Sequence, residues 1–200
     1  MSFWTLKQTA AHLGRGAARR KGLPCLLFFT DPVRTPDAEA IAAGLPRGAA
    51  IVFRAFGAAD AEAQGRRLRA IARARGLKLL VGADADLARR LGADGVHLPE
   101  RLAATARRLR RRGWIVTCAA HSLAAARRAK AAGADAVVVS AIFASDSPSA
   151  GAPIGPVRLA LLVRQAGLPV YGLGGINNKT ARRLKDAGLV GLAGIDGFRT

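Results

Sequence analysis

The most constraining feature of this sequence is a strand–helix unit that recurs along the chain from residue 25 onward. Each unit has a short apolar, β-branched run, then small or polar residues, then an Ala-, Arg- and Leu-rich segment that ends near a glycine. Runs that are apolar throughout indicate strands covered on both faces, and strand–helix alternation indicates parallel strands with right-handed crossovers. The eight candidate strands are residues 25–30, 50–53, 78–82, 94–98, 114–119, 136–142, 168–173 and 189–195.

Eight such units predict a (β/α)8 barrel, the TIM-barrel fold. The barrel would be compact, because typical barrels take about 250 residues and this one must fit into residues 25–200. The alternative is an open doubly wound sheet, which the lack of a G-x-G-x-x-G fingerprint disfavours. The clearest helices between the strands are predicted over residues 58–75, 122–132 and 177–187.

Both ends of the chain are unusual for a barrel. Residues 1–24 form an N-terminal extension ahead of the predicted barrel domain at 25–200. Within the extension, residues 4–14 are predicted to form a short amphipathic helix with three partly buried side chains, Trp4, Leu6 and Leu13. The chain stops at Thr200, close behind the eighth predicted strand, so the eighth helix is expected to be missing. We therefore expect the leader helix, or a partner subunit, to cover the apolar surface left open.

The chain is strongly basic, with 32 Lys plus Arg against 13 Asp plus Glu and a formal net charge of +19 at pH 7. This imbalance raises the question of nucleic-acid binding. The basic residues are spread over many predicted helices, and only the run 107–112 is dense. Aromatic residues make up 5% of the chain, and no DNA- or RNA-binding motif is present. We therefore expect a solvated basic surface and no nucleic-acid partner.

The cysteines and the N-terminal residues indicate the cellular compartment of the protein. Cys25 and Cys118 lie in apolar runs, form no disulfide framework and are expected to be buried free thiols. The first residues lack the pattern of a signal peptide, and no stretch reaches the roughly 20 apolar residues of a membrane span. The sequence thus predicts a cytoplasmic protein without a membrane partner.

Candidate functional residues follow the predicted strands, because the site of a parallel barrel lies at the carboxyl ends of its strands. Gly174 and Gly175 form a Gly-rich turn after the seventh strand, where the backbone can approach a ligand and a following helix N-terminus favours anions. The seventh and eighth loops commonly bind phosphate in this fold, so we predict a phosphate site there. The residues directly after the strands are Thr30, Asp31, Arg54, 82–84, His97, His121, Ser140, Gly174, Gly175, Ile195 and Asp196.

Four segments carry a resemblance to a known family. They are residues 92–98 (Gly-Ala-Asp-Gly-Val-His-Leu), 120–123 (Ala-His-Ser-Leu), 133–137 (Gly-Ala-Asp-Ala-Val) and 169–176 (Pro-Val-Tyr-Gly-Leu-Gly-Gly-Ile). In this order and spacing they resemble the thiamine phosphate synthase and thiazole tautomerase family, from about residue 25 to the C-terminus. The resemblance implies a (β/α)8 barrel, a thiazole phosphate site and a homodimer.

The chain departs from the family where the synthases hold a diphosphate and magnesium. Of a Gln-x-Arg-x-Lys pattern after the second strand only Arg54 matches, and Gly82 and Ala83 stand where the synthases have Asn-Asp. Leu102 stands in place of a second acidic ligand, and the loop 144–151 has no Lys. Magnesium favours carboxylates, and a leaving diphosphate needs its charge neutralised. We therefore expect no cofactor, with magnesium needed only by a synthase; the nearby carboxylates are Asp84, Asp86 and Glu100.

The tautomerase branch requires less, namely a phosphate cradle and one acid–base group. His121 matches the general acid–base histidine of that branch, and a histidine titrates near neutral pH. His97 is expected to pack under the rim. We predict a thiazole tautomerase-like enzyme with His121 as the catalytic residue. The residues predicted to bind its phosphorylated ligand are Arg54, Ser140, Gly174, Gly175, Ile195 and Asp196.

Two alternatives stay open beside the tautomerase. One is the synthase itself, which couples a pyrimidine diphosphate with a thiazole phosphate. The other is a non-catalytic binder of a phosphorylated ligand. The non-catalytic binder is suggested by Asp196, which replaces the family's serine after the eighth strand. A carboxylate beside a phosphate is repulsive unless it turns away.

Overall fold

The structure is a computed structural model that describes residues 4–13, 22–145 and 151–198. Its eight strands form one closed barrel in chain order, and β8 pairs with β1 in parallel to close it. The predicted (β/α)8 barrel is therefore confirmed, and the open doubly wound sheet is excluded. The strands are β1 (Leu26–Phe29), β2 (Ala50–Phe53), β3 (Lys78–Gly82), β4 (Gly95–Leu98), β5 (Ile115–Ala120), β6 (Ala136–Val139), β7 (Val170–Gly172) and β8 (Gly191–Gly194).

The helices surround the barrel. The α-helices are α1 (Trp4–Leu13), α2 (Ala38–Ala43), α3 (Ala61–Arg75), α4 (Ala85–Arg90), α5 (Ala106–Leu109), α6 (Leu123–Ala131) and α7 (Gly155–Ala166). Short 3-10 helices span Glu100–Thr105, Ala181–Leu184 and Asp196–Phe198. Within the described ranges, no helix combines the length and apolar character that crossing a membrane would need.

The strands are buried on both faces, because their side chains alternate between two apolar layers. Leu27 and Phe29 of β1 belong to a cluster with Val52 and Tyr171 that fills the barrel. Their neighbour Phe28 belongs to the larger cluster between the barrel and the helices. Two-sided burial explains why the strands are apolar throughout rather than in alternation.

Four strands end earlier than predicted, and the first of them, in the run 25–30, ends at Phe29. The other three strands end at Val139, Gly172 and Gly194 in the apolar runs 136–142, 168–173 and 189–195 respectively. The residues of these runs that follow the strands, 140–142, Leu173 and Ile195, lie in loops at the carboxyl end of the barrel. The helices predicted over 58–75 and 122–132 are present as α3 and α6, and the hydroxyl of Ser122 accepts a hydrogen bond from the Ala125 amide at 3.1 Å.

The α-helix predicted over 177–187 is wrong, because the segment holds only the 3-10 helix Ala181–Leu184. The Asn177 side-chain oxygen accepts hydrogen bonds from the amides of Lys179 and Thr180 at 2.9 and 3.1 Å. The hydroxyl of Thr180 accepts one from the Asn177 amide at 2.9 Å. These local bonds compete with the formation of an α-helix at the start of the segment. The α-helix N-terminus expected behind the Gly-rich turn is therefore absent.

The leader helix α1 lies against β8 and against the 3-10 helix Ala181–Leu184. Its Ala10 and Leu13 are buried. This is the place that the leader was expected to take, beside the strand that no α-helix follows in the described chain. Parts of that prediction lie outside what the structure describes, namely the side chains of Trp4 and Leu6 and residues 14–21.

Both cysteines are free thiols, as predicted. Cys118 is buried on β5, and burial raises the pKa of its thiol to about 12. Burial also raises the pKa of Cys25. Both thiols are therefore protonated at neutral pH and are not candidate nucleophiles.

The outer helices carry exposed arginines, several of which pair with carboxylates. Arg66 and Arg90 both bind Glu62, at 2.6 and 3.0 Å. In the run 107–112, all five arginines are exposed, and Arg111 stacks over the ring of Trp114 at 5.0 Å from its centroid. Exposed pairs of this kind add little stability, so the surface charge is mainly a matter of solvation.

Candidate functional site

A cavity of about 580 Å³ lies at the carboxyl ends of β1, β2, β6, β7 and β8. Asp31, Arg34 and Phe56 line the side formed by the loops after β1 and β2. All the residues predicted to bind the ligand also line it, namely Arg54, Ser140, Gly174, Gly175, Ile195 and Asp196. The predicted catalytic residue, His121, does not. The structure thus brings the six together in one cavity, and their contact with a ligand stays a prediction.

The Gly-rich turn after β7 is held close to the loop after β6. Gly174 and Gly175 have φ angles of +101° and +62°, which favour glycine. A Cβ on Gly175 would lie 2.4 Å from the carbonyl oxygen of Ala144. These glycines are therefore required by packing, whether or not a ligand approaches them. Within the described chain, the amide groups of Gly174, Gly175 and Ile176 donate no hydrogen bond, which makes them candidate donors to an anion.

Arg54 follows β2 and is held in place from three sides. Its Nε donates to the carbonyl oxygen of Thr30 at 2.7 Å, and its guanidinium contacts Asp31 at 3.1 Å. The guanidinium also lies over the ring of Phe56, 4.9 Å from the centroid. Burial lowers the pKa of Arg54, Asp31 opposes this shift, and the charge of Arg34 adds to it. The side chain remains a cation at neutral pH, because an arginine does not lose its proton there.

Arg34 was missed by the sequence analysis. It lies on a turn after β1, where the amides of Val33 and Arg34 donate to the Asp31 side chain at 3.1 and 3.0 Å. This turn places the guanidinium of Arg34 in an ion pair with Asp196. An aspartate followed by proline signals such a turn, but the ion pair joins residues 162 positions apart. No local pattern reveals that contact.

Asp196 begins the 3-10 helix directly behind β8. One carboxylate oxygen pairs with Arg34, while the other is buried and has no hydrogen-bond partner among the described residues. Asp196 lines the cavity beside Gly194 and Ile195, and 43% of its side chain is exposed. The ion pair with Arg34 neutralises the Asp196 carboxylate and so reduces the repulsion expected between that carboxylate and a phosphate.

His97 lies below the cavity, inside the barrel. Its Nδ1 is 3.0 Å from the Thr117 hydroxyl, and its ring meets Phe29 edge-on with 4.9 Å between centroids. Burial, aided by the charge of Arg54, lowers the pKa of His97 to about 3. The imidazole is therefore neutral near pH 7, which agrees with the packing role expected for it.

His121 lies at the rim of the barrel but away from the cavity lining. Its Nδ1 is 2.9 Å from the Glu100 carboxylate, and its amide donates to the same oxygen at 3.1 Å. Arg128 binds the other oxygen of Glu100 at 3.0 Å. These hydrogen bonds, that of the His121 side chain first, lower the pKa of Glu100. The Glu100 carboxylate thus holds the imidazole at the rim, and the role of His121 as the acid–base group stays a prediction.

The residues that the structure describes do not fit the magnesium site that the resemblance implies for a synthase. Among the residues that the structure describes, no cluster of three or more His, Cys, Asp or Glu side chains suits a metal ion. The carboxylate of Asp84 accepts the amide of Leu87 at 2.8 Å and so caps α4. Asp86 pairs with Arg89, and Glu100 is engaged as described above. None of the carboxylates considered as substitutes is directed to the cavity lining.

Comparisons with known proteins agree with the fold. The family model for thiamine monophosphate synthase matches residues 26–198. A putative thiamine-phosphate synthase 2 of Aquifex aeolicus is 35% identical over 135 residues, covering 66% of this chain and 72% of that protein. A thiamine-phosphate synthase of Roseiflexus sp. is 39% identical over 141 residues, covering 69% of this chain. The latter match spans 60% of the Roseiflexus protein, which is less than two thirds of its length.

A solved structure gives the same result. The thiamine phosphate pyrophosphorylase from Pyrococcus furiosus superposes with a TM-score of 0.75 at 28% identity. The superposition covers 88% of this chain and 87% of the Pyrococcus chain. Because the family model spans the whole barrel from β1 to the last 3-10 helix, this chain belongs to the thiamine monophosphate synthase family.

Proposed function

We propose that this chain binds a thiazole phosphate in the barrel cavity, as the acceptor substrate of a transferase that forms thiamine phosphate. One observation carries the proposal. The amides of Gly174, Gly175 and Ile176, which are unpaired within the described chain, line the same cavity as Arg34 and Arg54. The names of the relatives, which are synthases, support the transferase.

The cavity lining offers two kinds of phosphate-binding group, backbone amides and arginine side chains. Unpaired amides and arginines are the groups that hold phosphate oxygens, the amides by direction and the arginines by charge. Thr30 and Asp31 hold Arg54, so little side-chain freedom is lost when a phosphate binds. His97 below them is neutral and adds no charge to the site.

A second candidate function is binding of the phosphate ligand without turnover. The specific observation in its favour is that the carboxylates near the cavity are engaged elsewhere, as Asp84 is in capping α4. Among the described residues, the two carboxylates that line the cavity, Asp31 and Asp196, are each paired with an arginine, so neither is free to hold the magnesium of a diphosphate half-site.

The transferase is tested by incubating the chain with a pyrimidine diphosphate and a thiazole phosphate in buffer that contains magnesium. The proposal predicts equal amounts of thiamine phosphate and pyrophosphate. Binding of the thiazole phosphate without either product would establish the second candidate instead. No binding at all would refute both.

The tautomerase interpretation gains support neither from the relatives' names nor from the position of His121. We expect His121→Ala to leave the affinity for thiazole phosphate within about twofold, because the side chain does not line the cavity. Arg54→Ala is the matched positive control and should weaken binding about tenfold or more, since it removes a charged donor. Isothermal titration measures both. A tenfold loss in His121→Ala would restore His121 to the site.

A further inference from the structure

Phe56 presents an exposed aromatic ring to the cavity. It lies on the loop after β2 and lines the cavity, and 62% of the residue is exposed. The phenylalanines of β1 and β2, by contrast, are buried to 2% exposure or less. Phe56 also stands at the place of the lysine in the Gln-x-Arg-x-Lys pattern, so that pattern does not account for its ring.

The backbone at Phe56 is strained. Phe56 has a φ angle of +49° and Gly57 one of +79°, and the Ala58 amide donates to the Ala55 carbonyl oxygen at 2.9 Å across them. A turn with positive φ at both central residues suits glycine, asparagine or aspartate, whereas a bulky side chain is an outlier there. Residues held in strained conformations concentrate at functional sites. The strain therefore indicates that the ring has a use at this position.

Holding Arg54 in place is not a sufficient use for the ring. The guanidinium of Arg54 lies over the Phe56 ring, 4.9 Å from its centroid, but Thr30 and Asp31 already hold that guanidinium by hydrogen bonds of 2.7 and 3.1 Å. Because the guanidinium covers one face of the ring, the exposed surface belongs to the other face and the edge. Aromatic surface of this kind pairs well with a second ring, either offset-stacked or edge-to-face.

We propose that Phe56 determines ligand specificity by stacking against an aromatic ring of the ligand, while the phosphate of the same ligand binds at Gly174–Ile176. The two sites belong to different sides of one cavity, whose lining also includes the apolar side chains of Leu173 and Ile195. The cavity then selects phosphate esters with an aromatic ring over esters with a saturated ring. This inference rests on the proposed function in that it uses the same phosphate site, and the aromatic ring of a thiazole phosphate satisfies it.

The test compares two small probes that differ only in the ring. Phenethyl phosphate and cyclohexylethyl phosphate share the phosphate, the linker and the number of ring carbons, but only the first ring is aromatic. In isothermal titrations of the full chain, phenethyl phosphate is expected to bind about fivefold more tightly, a difference typical of one aromatic pair. Equal affinities of the wild-type chain for the two probes would overturn the inference without the need of any variant.

Phe56→Leu identifies the residue responsible. Leucine keeps an apolar side chain on the same backbone but cannot stack, so the two affinities should become equal within about twofold through the loss of phenethyl phosphate binding alone. Phe56→Tyr retains a ring and should keep the preference. A parallel loss of both affinities in Phe56→Leu would show that the ring only supports Arg54, and would overturn the inference, as would a preference that survives the substitution.

Trp114→Leu is the matched control. It also removes an aromatic ring that has an arginine over it, since Arg111 lies 5.0 Å from the centroid of the Trp114 ring. Trp114 lies outside the cavity lining, directly before β5, at the opposite end of the barrel from the site. This variant should keep the wild-type preference for phenethyl phosphate. Loss of the preference in Trp114→Leu would show that the effect is not specific to Phe56 and would overturn the inference.

Thiazole phosphate, titrated in the same series, separates this inference from the proposed function. It should bind the wild-type chain about fivefold more tightly than Phe56→Leu. If it binds both chains equally, the inference falls and the proposed function stands. If phenethyl phosphate is preferred and thiazole phosphate does not bind, the proposed function falls and the inference stands. If none of the three binds, both fall.

Discussion

Gly175→Ala is expected to lower the free energy of unfolding by about 3 kcal/mol and to weaken thiazole phosphate binding about tenfold or more. At a φ of +62° a residue with a Cβ is strained, and the new Cβ would lie 2.4 Å from the Ala144 carbonyl oxygen. It would also lie 2.9 Å from the carbonyl carbon of Phe143, so the backbone must move. That movement displaces the amides that we assign to the phosphate. Urea denaturation and isothermal titration measure the two effects.

The matched control is Gly48→Ala. Gly48 also has a positive φ, +82°, but a Cβ there would meet no atom within 4 Å. The control isolates the conformational strain and should cost about 1 kcal/mol, with unchanged ligand affinity. If Gly175→Ala cost no more than the control and bound ligand normally, the turn after β7 would not form the phosphate cradle.

The second large effect is a loss of stability below neutral pH, caused by His97. Burial, aided by Arg54, lowers its pKa in the folded chain to about 3, whereas an unfolded histidine titrates near about 6.5. Between these two values the unfolded chain binds a proton that the folded chain does not. The free energy of unfolding therefore falls as the pH falls through this window, by up to about 1.4 kcal/mol per pH unit.

Urea denaturation at pH 7 and pH 5 checks this expectation. The contribution of His97 at pH 5 is expected to be a loss of about 2 kcal/mol relative to pH 7. The imidazole signals of His97, followed by NMR, should not titrate between pH 8 and pH 5. A His97 titration centred near pH 6.5 would contradict the assignment.

The barrel was predictable because its strands are apolar on both faces, which distinguishes them from the helices. The predictions over 50–53 and 78–82 match β2 and β3 residue for residue. The prediction over 136–142 was too long for a physical reason. Ile142 is apolar and fully buried like a strand residue, although it lies in the loop and bonds through its amide to the Leu173 carbonyl oxygen. Burial alone does not separate a strand from a buried loop.

The six residues predicted to bind the ligand could be grouped from the sequence, because their grouping around one cavity follows from topology. All lie behind strands whose carboxyl ends meet at one end of a parallel barrel. Arg34 and the orientation of His121 were not predictable, since each depends on a contact between side chains distant in sequence. Arg34 pairs with Asp196, which lies 162 residues later in the chain. The orientation of the His121 ring depends on its contact with Glu100, which lies 21 residues earlier.

The central claim is that the cavity beside the turn after β7 binds the phosphate of a thiazole phosphate. A crystal structure of the chain grown with saturating thiazole phosphate tests it most directly. The account predicts phosphate oxygens within hydrogen-bonding distance of the amides of Gly174, Gly175 and Ile176, with Arg34 or Arg54 as the counter-ion. A ligand bound outside this cavity, or a cavity left empty at saturation, would contradict the account.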